Sequence, residues 1–459
     1  MGRDDFFPDD FLWGVSTASY QIEGSVRVDG RSESIWDVFC RRPGAVLGGM
    51  TGDLACGSYL RWRDDIALLR GLGLDAYRFS LAWPRILPEG GGRPNQAGLD
   101  HYRRLCEGLL EAGIQSWACL YHWDLPQVLE ERGGWPERDT ALRFVDYAIL
   151  CFRELGDLVS GWLTLNEPWC SAFLGYASGE QAPGRHDRSA AYRAVHHLLL
   201  GHGLAVAAFR DLPPPGPGGA IPPIGIALNP GLPRPATRRE EDRLAALRAS
   251  EERTALFMDP LFGRGYPAGH LAAHPEARMP VEAGDLDKIA QRVDFVGVNY
   301  YSEEVVEAAP VTSEVPDGYR PLPTWEGRTE MGWPVAPQGL HRLLRFMSET
   351  WKPEALYVSE NGAAYPDEVD AAGRVRDEAR IDYLQGHLAA CERAVLEGVP
   401  LKGYFVWSLL DNFEWSFGYS RRFGLVHVDF STLERRPKDS YHWYRDLVAG
   451  HRPGPSPRR

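Results

Sequence analysis

The 459-residue chain carries 50 Lys and Arg against 63 Asp and Glu, a net charge of −13, which disfavours a partner held by neutralising phosphates and so excludes nucleic acid as the expected ligand. With 44% hydrophobic and 25% charged residues and 15 tryptophans, the composition describes an ordered globular chain and excludes a fibrous or generally disordered one. The longest uncharged stretch, Leu212 to Pro233, holds eight prolines and five glycines, which no membrane-spanning helix accommodates.

The opening MGRDDFFPDDFLWG is acidic where an export signal needs a basic start and an unbroken apolar run, so a cytoplasmic protein without membrane partners is expected. Seven cysteines, an odd number with no CxxC pair, fit reduced thiols in that compartment. From there, short β-branched or aromatic runs alternate with amphipathic segments of helical period. The predicted strands are FLWGVSTA from Phe11, AYRFSLAW from Ala76, IQSWACLYH from Ile114, GWLTLN from Gly161, IGIALN from Ile224, DFVGVNYY from Asp294, ALYVSEN from Ala355 and GYFVWSLL from Gly403. Helices are expected between them, for example from Asp242 and from Ile381. Eight strands each followed by a helix is the arithmetic of an α/β fold closed as a single (β/α)₈ TIM barrel with extended βα loops. An open doubly wound sheet is the alternative, but no Gly-rich dinucleotide fingerprint follows the first strand and no P-loop is present. The Pro- and Gly-rich segment from Leu212 to Gly225 reads as an insertion on the side of the fifth strand away from the chemistry. Residues 1–450 are expected to form one catalytic domain, with 451–459 a disordered tail.

In such a barrel, chemistry sits where strands end. The fourth strand ends in TLNEPW with Glu167, and the seventh in YVSENG with Glu360. Either tripeptide alone is explained by turn chemistry, since Asn, Gly and Pro all serve loops. Two carboxylates at two strand ends of one barrel mouth point instead to glycoside hydrolysis, where one carboxyl protonates the leaving oxygen and the other attacks the anomeric carbon. Arg78, inside the apolar AYRFSLAW, carries a burial cost unless it meets a carboxylate.

The strings FLWGVSTASYQIEG at Phe11, RFSLAWPRI at Arg78, YHWDLPQ at Tyr121, TLNEPW at Thr164, VNYY at Val298, SENGAA at Ser359, WSLLDNFEW at Trp407 and RRPKDSYHWY at Arg435 together resemble glycoside hydrolase family 1, the retaining β-glucosidases and their relatives. The resemblance spans essentially the whole chain before the tail. It implies that Glu167 is the acid/base and Glu360 the nucleophile, with Arg78 and Tyr301 holding the nucleophile ionised. It also implies sugar contacts from Gln21, His122, Asn166 and Glu414, a platform from Trp407, a donor from Trp415, Asn299 close by, and Trp333 at the start of the aglycone side. Glu167 has to hold a proton near neutral pH, so drier surroundings and the charge of Glu360 should raise its pKa. Trp62, Trp351 and Trp443 are expected to fill the core.

The expected activity is that of a retaining exo-β-glycosidase, a β-glucosidase acting on terminal β-D-glucosyl residues of cello-oligosaccharides and aryl or alkyl glucosides, with galactosides and fucosides tolerated. A 6-phospho-β-glycosidase is the alternative, opposed by Glu414 and by Phe423, which lacks a tyrosine hydroxyl, though Arg421 and Arg422 lie nearby. A sugar-binding barrel without catalysis is a third reading, opposed by the presence of both carboxylates. The partner is a small-molecule β-glycoside, and the chain is expected to act as a monomer or homo-oligomer. No cofactor is expected, and no metal: His196, His197 and His202 share a helix but miss the i, i+4 spacing of a helix-borne zinc pair.

Overall fold

In a computed structural model describing residues 7–213, 221–312, 315–323 and 327–451, eight parallel strands close into one barrel. They are β1 (Leu12–Ser16), β2 (Ala76–Ser80), β3 (Gln115–Tyr121), β4 (Val159–Asn166), β5 (Ile224–Leu228), β6 (Phe295–Asn299), β7 (Leu356–Asn361) and β8 (Leu401–Trp407). Each lies within or across one of the expected runs. Closure comes from β1, which pairs with β8 on one side and on the other sets Gly14, Val15 and Ser16 against Ala76, Tyr77 and Arg78 of β2. An open sheet is thereby excluded.

A major helix follows every strand: α1 (Ser58–Leu72), α2 (Gln96–Glu111), α3 (Arg138–Leu155), α4 (Arg188–Asp211), α5 (Glu240–Ser250), α6 (Pro337–Trp351), α7 (Glu378–Leu396) and α8 (Asp439–His451). The logic of α6 is typical. Proline at its first position is preset for a helix start, and Leu340, Leu343, Leu344, Met347 and Trp351 form one buried stripe at helical spacing. Trp351 is therefore core, as expected, and Trp62 and Trp443 pack against the core half-buried. The helix expected from Asp242 continues beyond α5 through a π-helical turn, Glu251–Ala255, into a short helix, Leu256–Leu261.

The barrel interior divides into an apolar plug and a polar layer above it. Trp117 packs with its ring centroid 5.3 Å from Phe295, 4.9 Å from Tyr357 and 5.6 Å from Phe405. Small residues make room: a Cβ on Gly161 would stand 2.7 Å from the Trp117 ring, and one on Gly14 2.4 Å from Phe405. Buried rings such as Phe295 and Phe405, worth roughly 1.5–3 kcal/mol each, give the polar layer a rigid floor. The period of two along β2 places Ala76 in this plug and Arg78 one layer higher, facing inward and buried.

The helix α4 carries His196, His197 and His202, and each is bonded to a different partner: Asp285, the Trp135 carbonyl and the Thr164 hydroxyl. Among the described residues no group of His, Cys, Asp or Glu is arranged to hold a metal, and no helix is long and apolar enough to cross a membrane. All seven cysteines are buried and unbridged. Residues 452–459 of the expected tail and 214–220 of the expected insertion lie outside the described residues.

Candidate active site

At the end of β7, Glu360 sits opposite Asn299 of β6 in the ladder. Its Oε1 accepts from Arg78 Nη1 at 2.5 Å and its Oε2 from the Tyr301 hydroxyl at 2.7 Å. The other arm of the Arg78 fork donates to Asn166 Oδ1 at 2.6 Å. Burial holds the Glu360 carboxyl above its ordinary range, and Arg78 and Tyr301 offset part of that rise by stabilising its charged form.

Across the mouth, β4 ends at Asn166 and the chain turns sharply. Glu167 occupies the left-handed region at φ 46°, a conformation that costs a non-glycine residue of order 1–3 kcal/mol and tends to cluster at functional sites. Its backbone N–H is tied to the Ala227 carbonyl at 2.9 Å. Its Oε1 accepts from Asn299 Nδ2 at 2.7 Å, and its Oε2 accepts from the Cys170 thiol at 3.0 Å. Ser359, standing directly before Glu360, donates to Asn299 Oδ1 at 2.7 Å and so holds the amide that reaches Glu167. No cation forms an ion pair with Glu167 among the described residues. Burial, followed by the charge of Glu360, pushes its carboxyl up to about 7.

The two carboxylates face one cavity of about 740 Å³, within the range that holds small ligands. It is lined by His122, Trp407, Glu414 and Trp415 among others. The His122 ring stacks 5.8 Å from Trp407 and 5.9 Å from Trp415, and Trp123, at φ 77°, packs 4.6 Å from Trp415. Burial, and next Arg78, hold His122 well below its usual range and therefore neutral. Gln21 stands behind this wall, its Nε2 directed to Asn412 at 3.0 Å, the Phe413 carbonyl at 2.9 Å and Glu414 at 3.3 Å. Burial and then the Glu360 charge push Glu414 up to about 8. Gln21 Oε1 and His122 Nδ1 are buried without a protein hydrogen-bond partner.

Trp333 also lines the cavity, half-buried, its ring 5.5 Å from Tyr301. Trp169, Asn229 and Arg253 line it too, with the Arg253 guanidinium 3.8 Å from the Trp169 ring centroid. Every residue expected from the sequence is thus brought to this region. Arg78, Asn166 and Gln21 stand one layer behind the wall and hold the residues that form it.

Sequence reasoning did not single out Cys170, Asn229, Arg253 or Trp123. Cys170 had a signal, since it lies three residues after Glu167 at the start of a helical turn; Arg253 had none, because its π-helical turn left no mark in the pattern. The two arginines that favoured a phosphorylated ligand are otherwise engaged. Arg422 donates to Asp411 at 2.7 Å, Arg421 lies over Phe417 and approaches Glu330 at 3.8 Å, and neither lines the cavity.

The family model described as glycosyl hydrolase family 1 matches residues 3–453. Beta-glucosidase A from Thermotoga maritima is 47% identical over 445 residues, covering 96% of this chain and 97% of its own length. The 1,4-beta-D-glucan glucohydrolase of Thermotoga neapolitana is 46% identical over 444 residues, with coverage of 96% and 98%. The solved structure of the beta-glucosidase from Thermotoga maritima in complex with deoxynojirimycin matches at a TM-score of 0.93 and 46% identity, over 97% of this chain and 98% of that one.

Proposed function

Because this chain belongs to glycosyl hydrolase family 1, we propose that it is a retaining exo-acting β-glucosidase, hydrolysing terminal β-D-glucosyl residues in two displacements. The observation that carries this reading is the inequality between its two carboxylates. Glu360 is buried against a cation and a phenol, whereas Glu167, on the same cavity, makes no ion pair among the described residues and has its pKa pushed up to about 7. One is therefore suited to attack and the other to give up a proton.

In the first displacement a Glu360 oxygen bonds to the anomeric carbon, the glycosidic bond breaks, and the leaving oxygen takes the Glu167 proton. Glu360 becomes a neutral ester. With its charge gone, one of the two causes that raised the Glu167 pKa disappears, so Glu167, having given up its proton, stays ionised and is available as the base at the step that needs one. It then takes a proton from water, whose oxygen bonds to the anomeric carbon as Glu360 leaves as a carboxylate. Arg78 stays beside Glu360 throughout, and the Asn299 amide, fixed by Ser359, keeps Glu167 in place.

Glu414, its carboxyl pushed up to about 8, can hydrogen-bond free sugar hydroxyls, and Arg421 and Arg422 are engaged with Glu330 and Asp411 outside the cavity, which favours an unphosphorylated glycoside. Cello-oligosaccharides are the proposed natural substrates, with galactosides and fucosides as slower ones. We assign one catalytic domain to residues 1–450 and a cytoplasmic location, supported by seven unbridged thiols. Proton NMR of the first product from a β-glucoside tests the stereochemistry: β-glucose is expected, and α-glucose overturns retention. A panel of nitrophenyl sugars with cellobiose tests specificity, glucoside being expected first and a preference for 6-phosphoglucoside overturning the assignment.

A further inference from the structure

Cys170 lies on the π-helical segment Cys170–Ala177 that follows Glu167, with its Sγ 3.0 Å from Glu167 Oε2. Asn229 donates its Nδ2 to the same sulfur at 3.3 Å. An amide N–H only donates, so the sulfur accepts there and turns its single proton toward Glu167. Burial and then the Glu167 charge hold the thiol protonated. On the other oxygen, Oε1, Glu167 accepts from the Asn299 amide at 2.7 Å. The carboxylate therefore meets a strong donor on one oxygen and a weak one on the other.

We infer that Cys170 is a positioning residue, whose thiol orients Glu167 so that Oε2 rather than Oε1 carries the transferable proton. This rests on the acid/base assignment of Glu167 made above. A proton added to a carboxylate settles where it weakens hydrogen bonding least. Protonating Oε1 would weaken a short amide bond to an anion, whereas protonating Oε2 weakens only a contact to sulfur. A hydroxyl in the same place would hold the anion more tightly and make the acid less ready to keep its proton. A thiol fixes the side chain at little cost to its proton affinity. The other titratable or charged groups acting on Glu167 are Glu360, Arg253, Tyr301 and Glu414, and all are retained when the thiol alone is changed.

The experiment is the pH profile of kcat/KM for hydrolysis of 4-nitrophenyl β-glucoside by Cys170→Ser and Cys170→Ala. The serine variant is expected to move the basic limb down by about half a pH unit, a roughly threefold loss on that limb, and the alanine variant to move it up by a similar amount. Opposite shifts are what a merely structural role does not produce. A limb unmoved in both variants, or moved the same way in both, overturns the role of Cys170. Should the alanine variant fail to fold, the serine variant decides alone: a limb moved down supports the role, and an unmoved one overturns it. The same profile for Glu167→Ala separates the two readings. If the basic limb persists without Glu167, the acid assignment falls and this inference with it; if it vanishes there yet stays put in both cysteine variants, only the role of Cys170 falls.

Discussion

Arg78 Nη1 lies 2.5 Å from Glu360 Oε1 in an ion pair whose side chains are both almost fully buried. A buried pair of this kind adds little net stability, because desolvation offsets the attraction, but removing one partner leaves the other charge stranded. Here the stranded group would be the nucleophile, which would respond by taking a proton. Arg78→Gln is therefore expected to move the acidic limb of kcat/KM upward by about one pH unit or more, with activity recovering toward higher pH. A pH profile of the purified variant checks this, and an unmoved acidic limb would mean that the Tyr301 hydroxyl suffices to hold the charge.

Glu360→Ala is expected to lower kcat by about four orders of magnitude or more, as loss of a covalent nucleophile does in other enzymes. The truncation also opens space beside the anomeric carbon. Added azide should enter it and restore turnover of an activated aryl β-glucoside, giving an α-glucosyl azide by a single displacement. A β-glucosyl azide, or turnover unchanged from the parent, would remove Glu360 from the attacking position.

Glu167→Ala separates the two displacements. A 2,4-dinitrophenyl leaving group needs no proton, so the first step with that substrate should stay fast while the intermediate accumulates for want of a base. Cellobiose, whose leaving oxygen does need a proton, should lose activity far more severely. Burst kinetics with the dinitrophenyl substrate and steady-state rates with cellobiose measure the contrast, and equal losses on both substrates would contradict the acid role.

The rise of the Glu167 pKa to about 7 has burial as its larger cause and the Glu360 charge as its second. The protonated form is the active acid, so kcat/KM should fall as pH rises through about 7. In Glu360→Gln the neighbouring charge is gone and burial remains, which lowers the Glu167 pKa from its parent value while leaving it above the ordinary carboxylate range. Carbon-13 NMR of labelled glutamate carboxyls reads this directly. An unchanged pKa in the variant would assign the whole shift to burial and would weaken the account of how Glu167 switches from acid to base.

The eight strands were legible because a barrel strand is buried on both faces and its sequence is an apolar run with few rivals. Glu167 and Glu360 were legible only as a pair, because turn chemistry explains either one alone but not two carboxylates at strand ends of one barrel mouth. Arg78 was legible as a charge in an apolar strand. Cys170, Asn229 and Arg253 were not, since each touches the site through a helical or irregular segment whose contacts depend on the path of the chain and not on local pattern. The left-handed backbone of Trp123, Glu167 and Trp415 was equally hidden: none is a glycine, and only the surrounding packing holds them there.

Lys438 was hidden too, because a lysine ordinarily reads as surface. Its Nζ is fully buried, donating to Asp367 and, at 2.6 Å, to Asp411. Arg380 pairs with Asp367 and Asp377, and Arg422 with Asp411, so that three cations face three carboxylates. The cluster ties the loop after β7, which follows Glu360, to the loop after β8, which leads to Glu414, and both to the start of α8. Lys438→Met keeps most of the side-chain volume but leaves the carboxylates one cation short, at an expected cost of about 3–5 kcal/mol. Adding Asp367→Asn to that variant restores the charge balance and should recover part of the loss, although Arg380 then loses one of its partners. Urea denaturation of the parent, the single and the double variant measures both effects. A single variant within about 1 kcal/mol of the parent would show that the arginines alone neutralise the cluster and that Lys438 is not what joins the two loops.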